Sequence, residues 1–163
     1  LADFDIGPGS SVLSTAIDDE DVFIAKYDLN LNLVWVKQVG GPSFQKVFAV
    51  DTDETGNVYT TGHYSGQVDF DPGSGTYNLT AVADPDIFVL KLTGAGEFTW
   101  VYEATGPFYG SGYTLKVDRS DNIYVAGTFE GTIDFDNGPD DHKLTSAGQS
   151  EIFMQKLKQL SNQ

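Results

Sequence analysis

Cysteine is missing from the chain, which excludes a disulfide framework, a thiolate nucleophile and any Cys-ligated zinc or iron–sulfur centre, and leaves the redox compartment open. Positive charge is scarce as well: 9 Lys and Arg stand against 24 Asp and Glu, a formal net charge of −15. Nucleic acid is therefore an unsuitable partner, because phosphate binding needs clustered cations that release counterions. No segment offers the roughly 20 apolar residues of a membrane-spanning helix, and no signal-peptide pattern opens the chain. Leu1 rather than Met stands first, so the expectation is a removed leader or a piece of something longer. The nucleophile elbow Gly-x-Ser-x-Gly, the phosphate-cradling glycine loops and His-Glu-x-x-His are all absent, and with 18 Asp present a chance carboxylate pair says little about glycoside cleavage. The expectation is a protein that is not an enzyme. What the 163 residues do contain is 40% hydrophobic and 13% aromatic side chains, enough for the core of one ordinary domain.

That apolar content is organised by an internal repeat. Phe23, Phe88 and Phe153 are spaced by 65 residues, as are Lys26, Lys91 and Lys156, and the acidic series Asp21, Asp86 and Glu151. Trp35 and Trp100, Asn57 and Asn122, Tyr59 and Tyr124, and Gly62 and Gly127 keep the same step. The run Asp3-Phe4-Asp5-Ile6-Gly7 returns as Asp69-Phe70-Asp71-Pro72-Gly73 and as Asp134-Phe135-Asp136-Asn137-Gly138, in steps of 66 and 65. The period divides the chain into a single array of about 2.5 copies, framed as residues 1–66, 67–131 and 132–163.

Each copy reads as β. Val22-Phe23-Ile24-Ala25-Lys26-Tyr27 and Ile87-Phe88-Val89-Leu90-Lys91-Leu92 are short, β-branched and aromatic, and each runs into turn chemistry, at Asp28 to Asn32 and at Thr93 to Gly96. The Trp-bearing segments beginning at Leu33 and Phe98 read as hairpin partners. Phe48, Val50 and Thr52 alternate as Tyr113, Leu115 and Val117 do, and turns at Asp53 to Asn57 and Asp118 to Asn122 lead to strands at Val58 and Ile123. Four antiparallel strands per period, with no amphipathic helix, predict an all-β protein of β-propeller-type blades. The extra length of the period falls between Val68 and Ala83 and between Ile133 and Ala147, where a short outer strand or an elaborated loop is expected.

The set formed by Val50-Asp51, Gly56-Asn57-Val58-Tyr59-Thr60-Thr61-Gly62, Gly66-Gln67-Val68-Asp69-Phe70-Asp71-Pro72-Gly73, Asp86-Ile87-Phe88-Val89-Leu90-Lys91-Leu92 and Phe98-Thr99-Trp100 resembles the SBBP-type β-propeller repeat over essentially the whole chain. That resemblance implies an exported bacterial protein, secreted or attached to the cell surface, often with many repeats and with no particular enzyme activity. The chain departs from a complete member in carrying too few blades to close a ring.

Several residues are candidates for chemistry. Asp3, Asp5, Asp69, Asp71, Asp134 and Asp136 sit in pairs beside a Gly turn, a chemistry suited to calcium, which takes several oxygen ligands. The competing expectation places each intervening Phe in the core and uses the carboxylates in turn formation. Asp51 and Asp53 form a further acidic pair, read as a tight turn because Lys116 replaces an acid in the next copy. Trp35 and Trp100, like the three Phe of the repeat, are expected in repeated core packing rather than as sugar platforms. His63 and His142 fall outside the repeat and read as solitary surface histidines. Asn78-Leu79-Thr80 matches a glycosylation acceptor at Asn78. Because the array begins and ends within a blade, its edge strands are templates for pairing. The leading expectation is a structural or adhesive extracellular module that forms a ring or head-to-tail filament, as a homo-oligomer or with further repeats of the same chain. The alternative is a module binding carbohydrate or another surface ligand, with calcium ordering its loops.

Overall fold

The computed structural model describes residues 1–15, 20–82, 85–136, 138 and 141–158. The polar tail 159–163, and Asn137 of the third Asp-Phe-Asp-x-Gly run, lie outside the described residues. Within them the regular elements are all strands: β1 (Ala2–Asp3), β2 (Val12–Leu13), β3 (Val22–Tyr27), β4 (Leu33–Val39), β5 (Gln45–Thr52), β6 (Val58–Tyr64), β7 (Gln67–Asp69), β8 (Asn78–Thr80), β9 (Asp86–Leu92), β10 (Phe98–Ala104), β11 (Gly110–Val117), β12 (Asn122–Phe129), β13 (Thr132–Asp134), β14 (Lys143–Thr145) and β15 (Glu151–Lys158). No helix among them is long and apolar enough to cross a membrane.

Three sheets follow one another along the chain. The middle one is a complete four-stranded blade in the order β10-β9-β6-β5; before it stands the two-stranded sheet β3-β4, and after it the three-stranded sheet β11-β12-β15. Every pairing is antiparallel. The extra length of each period is a small hairpin, β1-β2, β7-β8 or β13-β14, whose outgoing strand leads to β3, β9 or β15. Two of these hairpins bridge back to the chain that leaves the preceding blade, through Gly40 with Asp69 and Thr105 with Asp134. A frame of residues 1–66, 67–131 and 132–163 therefore cuts through sheets: the second and third blades each draw strands from two successive copies.

The blades pack face to face, and the core lies between them. Val22, Ile24 and Val39 of the first blade meet Val58, Tyr64, Phe88, Leu90 and Leu92 of the second, with Val68 and Phe70 of its hairpin. From the opposite side of the second blade, Tyr59, Ile87, Val89 and Tyr102 meet Leu115, Val117, Ile123, Phe129 and Phe153 of the third. β6 is buried at every position because it is central in its sheet and has a blade on each face. β5, at the sheet edge, alternates instead between covered and exposed residues.

Local chemistry fixes the turns. At Asp28, Asp53 and Asp118 one carboxylate oxygen accepts the backbone N–H groups two and four residues on, while the other accepts the side-chain amide of Asn32, Asn57 or Asn122. The fourth residue of each of these turns, and of the turn that begins at Thr93, takes a positive φ: Leu31 at 64°, Gly56 at 83°, Asp121 at 58° and Gly96 at 78°. Gly62 and Gly127 answer a different need. A Cβ there would lie 1.7 Å from the Lys46 carbonyl oxygen or 1.9 Å from that of Ser111, so only glycine admits the neighbouring strand.

The three repeat phenylalanines diverge. Phe88 and Phe153 are buried as expected, whereas Phe23 is 58% exposed, a correction with a simple cause: the described residues place no blade in front of the first one. Phe23 packs instead on Phe4, with ring centroids 4.5 Å apart.

Candidate functional site

The junction between neighbouring blades is built from residues one repeat apart. β5 and β11 are equivalent strands, and both bulge at the same place, between Val47 and Ala49 and between Gly112 and Thr114. The bulge residues, Phe48 and Tyr113, stack edge to face at 5.1 Å. Further along, Asp51 accepts the Val117 N–H at 2.7 Å and pairs with Lys116 at 2.9 Å. Glu54 and Arg119 lie 3.7 Å apart at the exposed rim. Burial raises the Asp51 pKa, but the hydrogen bonds from Lys116 and Val117 outweigh it and hold the carboxyl below its usual range.

The six aspartates of the repeated Asp-Phe-Asp-x-Gly runs organise the hairpins. In each run the first carboxylate accepts two backbone N–H groups: Asp3 from Asp5 and Ser11, Asp69 from Asp71 and Tyr77, Asp134 from Asp136 and His142. The second accepts one, Asp5 from Gly7, Asp71 from Gly73 and Asp136 from Gly138, at 2.8 Å each. Phe70 and Phe135 between them are buried. Asp3 and Asp134 are held below the usual carboxylate range, chiefly by the N–H groups of Ser11 and of Asp136 respectively. The pairs stay in separate hairpins. Among the described residues no three His, Asp or Glu side chains converge to hold a metal ion. Asn78 is exposed at the start of β8, opposite Asp69.

His63 is not the surface residue its isolation in sequence suggests. On the fully buried β6 it is only 7% exposed, with its ring against Phe44, Phe48 and Tyr109 at centroid distances of 5.9, 5.4 and 6.1 Å. Its Nδ1 lies 3.0 Å from Ser111 Oγ, and its Nε2 is buried without a hydrogen-bond partner. Burial, then nearby Lys46, pushes its pKa down, with Glu20 opposing, so the folded ring favours the neutral state. Phe44, Phe48 and Tyr113 remain partly open to solvent above it. His142, by contrast, is exposed on the third hairpin loop, 3.1 Å from Asp136. Trp35 is partly buried and donates its indole N–H to the Gly94 carbonyl at 3.1 Å, while Trp100 packs on Tyr59.

The outer face of the third blade carries two exposed apolar side chains beside lysines. Ile152 and Met154 are 82% and 81% exposed, although their repeat equivalents are buried against the next blade: Ile87 and Val89 on the third, Val22 and Ile24 on the second. Neither the open face nor the aromatic cluster around His63 is written in any single copy of the repeat. Both depend on which blade stands next to which.

Small antiparallel meanders, repeated along the chain and stacked with apolar cores between them, define blades of the β-propeller type. Comparison with known proteins agrees with that class. Over 111 residues, 60% of this chain, the sequence is 26% identical to the "Uncharacterized WD repeat-containing protein L264" of Acanthamoeba polyphaga mimivirus, and the match spans 8% of that protein's length. No family model matches the chain, so the likeness supports a propeller-type repeat and lends no support to the narrower SBBP resemblance.

Proposed function

We propose that this chain is a non-catalytic structural and protein-interaction module that joins further blades through its open blade faces, extracellularly or at a bacterial cell surface, in a ring or a head-to-tail filament. One observation carries the assembly reading: Ile152 and Met154 stand in solvent where the same positions of the other two blades are covered by a neighbouring blade. Exposed apolar side chains at positions that elsewhere in the array face a neighbouring blade mark a candidate interaction site. The exposed Phe23 on the opposite side of the array supplies the complementary kind of face, since Phe88 and Phe153 occupy that position inside the two formed interfaces. A contact between unlike faces is heterologous, and it closes into a ring or grows into a filament according to its rotation. The WD-repeat likeness fits an interaction module, and the placement outside the cell rests on the SBBP resemblance alone. Light scattering across a concentration series tests the assembly. The expected result is association that Ile152→Asp with Met154→Asp abolishes; a strictly monomeric chain at every concentration overturns it.

A second reading has its own support. Phe44, Phe48 and Tyr113 present partly exposed rings in one cluster, the chemistry of a carbohydrate or other surface-ligand platform. A saturable glycan-array signal that Phe48→Ala and Tyr113→Ala remove would place this reading above the structural one.

A further inference from the structure

We infer that the junction between the second and third blades is a hinge gated by acid: protonation of His63 releases the end of the β5 and β11 contact that begins at Gln45 and Gly110, while the end at Asp51 and Val117 stays closed. The inference stands apart from the assembly reading, because every group it uses lies within the formed junction of two blades. β5 and β11 run side by side there, and the bulges at Phe48 and Tyr113 divide their contact into two unlike halves. In one half Leu115 and Val117 are buried in the core with Tyr59 and Ile123, and Ala49 packs on that cluster. Its hydrogen bond runs from the Val117 N–H to the Asp51 carboxylate, which is held below the usual carboxylate range and so stays ionised at about pH 5.

The other half is polar and aromatic. His63 of β6 meets Ser111 of β11 there, Nδ1 to Oγ at 3.0 Å, with Phe44, Phe48 and Tyr109 around its ring. The Ser111 hydroxyl serves Nδ1 in either protonation state, since it both donates and accepts. Nε2 separates the two states: it is buried without a partner, so protonation leaves a charged N–H there with no acceptor. The surrounding charges do not compensate. Lys46, opposite His63 on β5, repels an imidazolium, and Glu20, which attracts one, is exposed and paired with Lys46 at 3.2 Å. Ile87, opposite His63 on β9, carries no charge, while Asp86 and Glu103 act on Tyr64, which faces the first blade from the other side of β6. Tyr109 and Tyr113 bond to each other through their hydroxyls at 2.9 Å and are neutral phenols throughout the acid range. An imidazolium is therefore relieved only by moving toward water, past Phe44 and Phe48, which are already partly exposed. Local opening belongs to the half with the fewest buried apolar contacts.

Two amides report the two ends of the hinge. The Gly110 N–H donates to the Pro85 carbonyl at 3.0 Å, and the Val117 N–H donates to Asp51 at 2.7 Å. Hydrogen exchange of the whole chain, followed by NMR between pH 7.5 and 5 and corrected for the intrinsic effect of pH, tests the gate. The expected result is a loss of protection at Gly110 of about tenfold, the consequence of one unit of pKa difference between closed and open states, with Val117 unchanged. The midpoint of that loss coincides with the titration of the His63 ring, which tests the gate in the wild-type chain without any substitution. The loss is absent from His63→Gln and from His63→Phe, the second of which keeps an aromatic ring among Phe44, Phe48 and Tyr109. Parallel loss at both amides, protection at Gly110 that ignores pH, or a pH response that survives in either variant overturns the proposal.

Discussion

Asp51 and Lys116 occupy the same place in successive copies of the repeat and are bonded to each other across the blade junction, 2.9 Å apart. The ion pair itself is of small worth, because the lysine side chain is 75% exposed. The larger contribution comes from the other hydrogen bond of Asp51, to the part-buried Val117 N–H. Lys116→Ala is expected to change stability by no more than about 0.5 kcal/mol, whereas Asp51→Ala leaves that amide without an acceptor and costs about 1–3 kcal/mol. Exchanging the charges with Asp51→Lys and Lys116→Asp does not restore stability. Urea denaturation of the four proteins measures all of this, and equal losses from the two single substitutions would contradict it.

The turn at Asp53 predicts an acid limb in the stability curve. Burial raises the pKa of this carboxyl, yet hydrogen bonds from Asn57, Thr55 and Tyr59 prevail and lower it to about 2 from the ordinary 3.8. A depressed folded pKa contributes stability that is complete above the unfolded value and is lost as pH falls through the folded one. Melting temperature should therefore decline between about pH 4 and pH 2, and Asp53→Asn should lower it at neutral pH while flattening that limb. An unchanged acid limb in the variant would remove Asp53 as its source.

His63 adds a loss of stability in the same direction, on acidification, but in a higher pH window. Its folded pKa lies below 6.5, so at pH values just under 6.5 the unfolded chain binds a proton that the folded chain refuses. Stability from this group is full above that pH and falls as the solution is acidified, until the folded ring also protonates. Thermal melts between pH 7.5 and 5 are expected to show the fall, with His63→Gln reducing it; ring titration by NMR at or above the ordinary value would refute the assignment.

Leu31 is the one apolar residue among the four positive-φ turn positions, at a φ of 64°. Leu31→Gly is expected to stabilise the chain by about 1 kcal/mol, because glycine adopts this region without the Cβ penalty. Gly56→Ala should destabilise by a similar amount, about 1 kcal/mol, even though a Cβ there meets nothing within 4 Å. Opposite signs in chemical denaturation identify backbone conformation as the cause.

Removing divalent cations tests the paired aspartates. Their carboxylates already accept N–H groups of their own loops, which predicts hairpins that persist in chelator and a melting temperature that EDTA leaves unchanged. A fall of several degrees, restored by calcium alone, would assign the cation a structural place there.

Turns and blade strands were legible in the sequence because their causes are local: an Asp with an Asn four residues on, a glycine where a strand crosses closely, and short β-branched runs. The repeat made them visible more than once. What stayed hidden depends on neighbours in space. Phe23 and Phe88 hold one position in the pattern, yet one is exposed and the other buried, because among the described residues only the second has a blade before it. His63 breaks the repeat, where the next copy has Thr128, and so reads as incidental, although a buried strand and three aromatic rings enclose it. Lys116 reads as the loss of an acid from a motif; in space it is that acid's partner.

Where a residue touches its own counterpart one copy later, as at the junction of the second and third blades, perfect duplication is penalised. Were every blade to carry aspartate at the position of Asp51, each junction would press two anions together, and lysine throughout would do the same with cations. Opposite signs at this junction, Asp51 with Lys116 and Glu54 with Arg119, remove that conflict. Divergence between copies thus spares a chain of similar units the self-repulsion that exact repetition would build into its own seam.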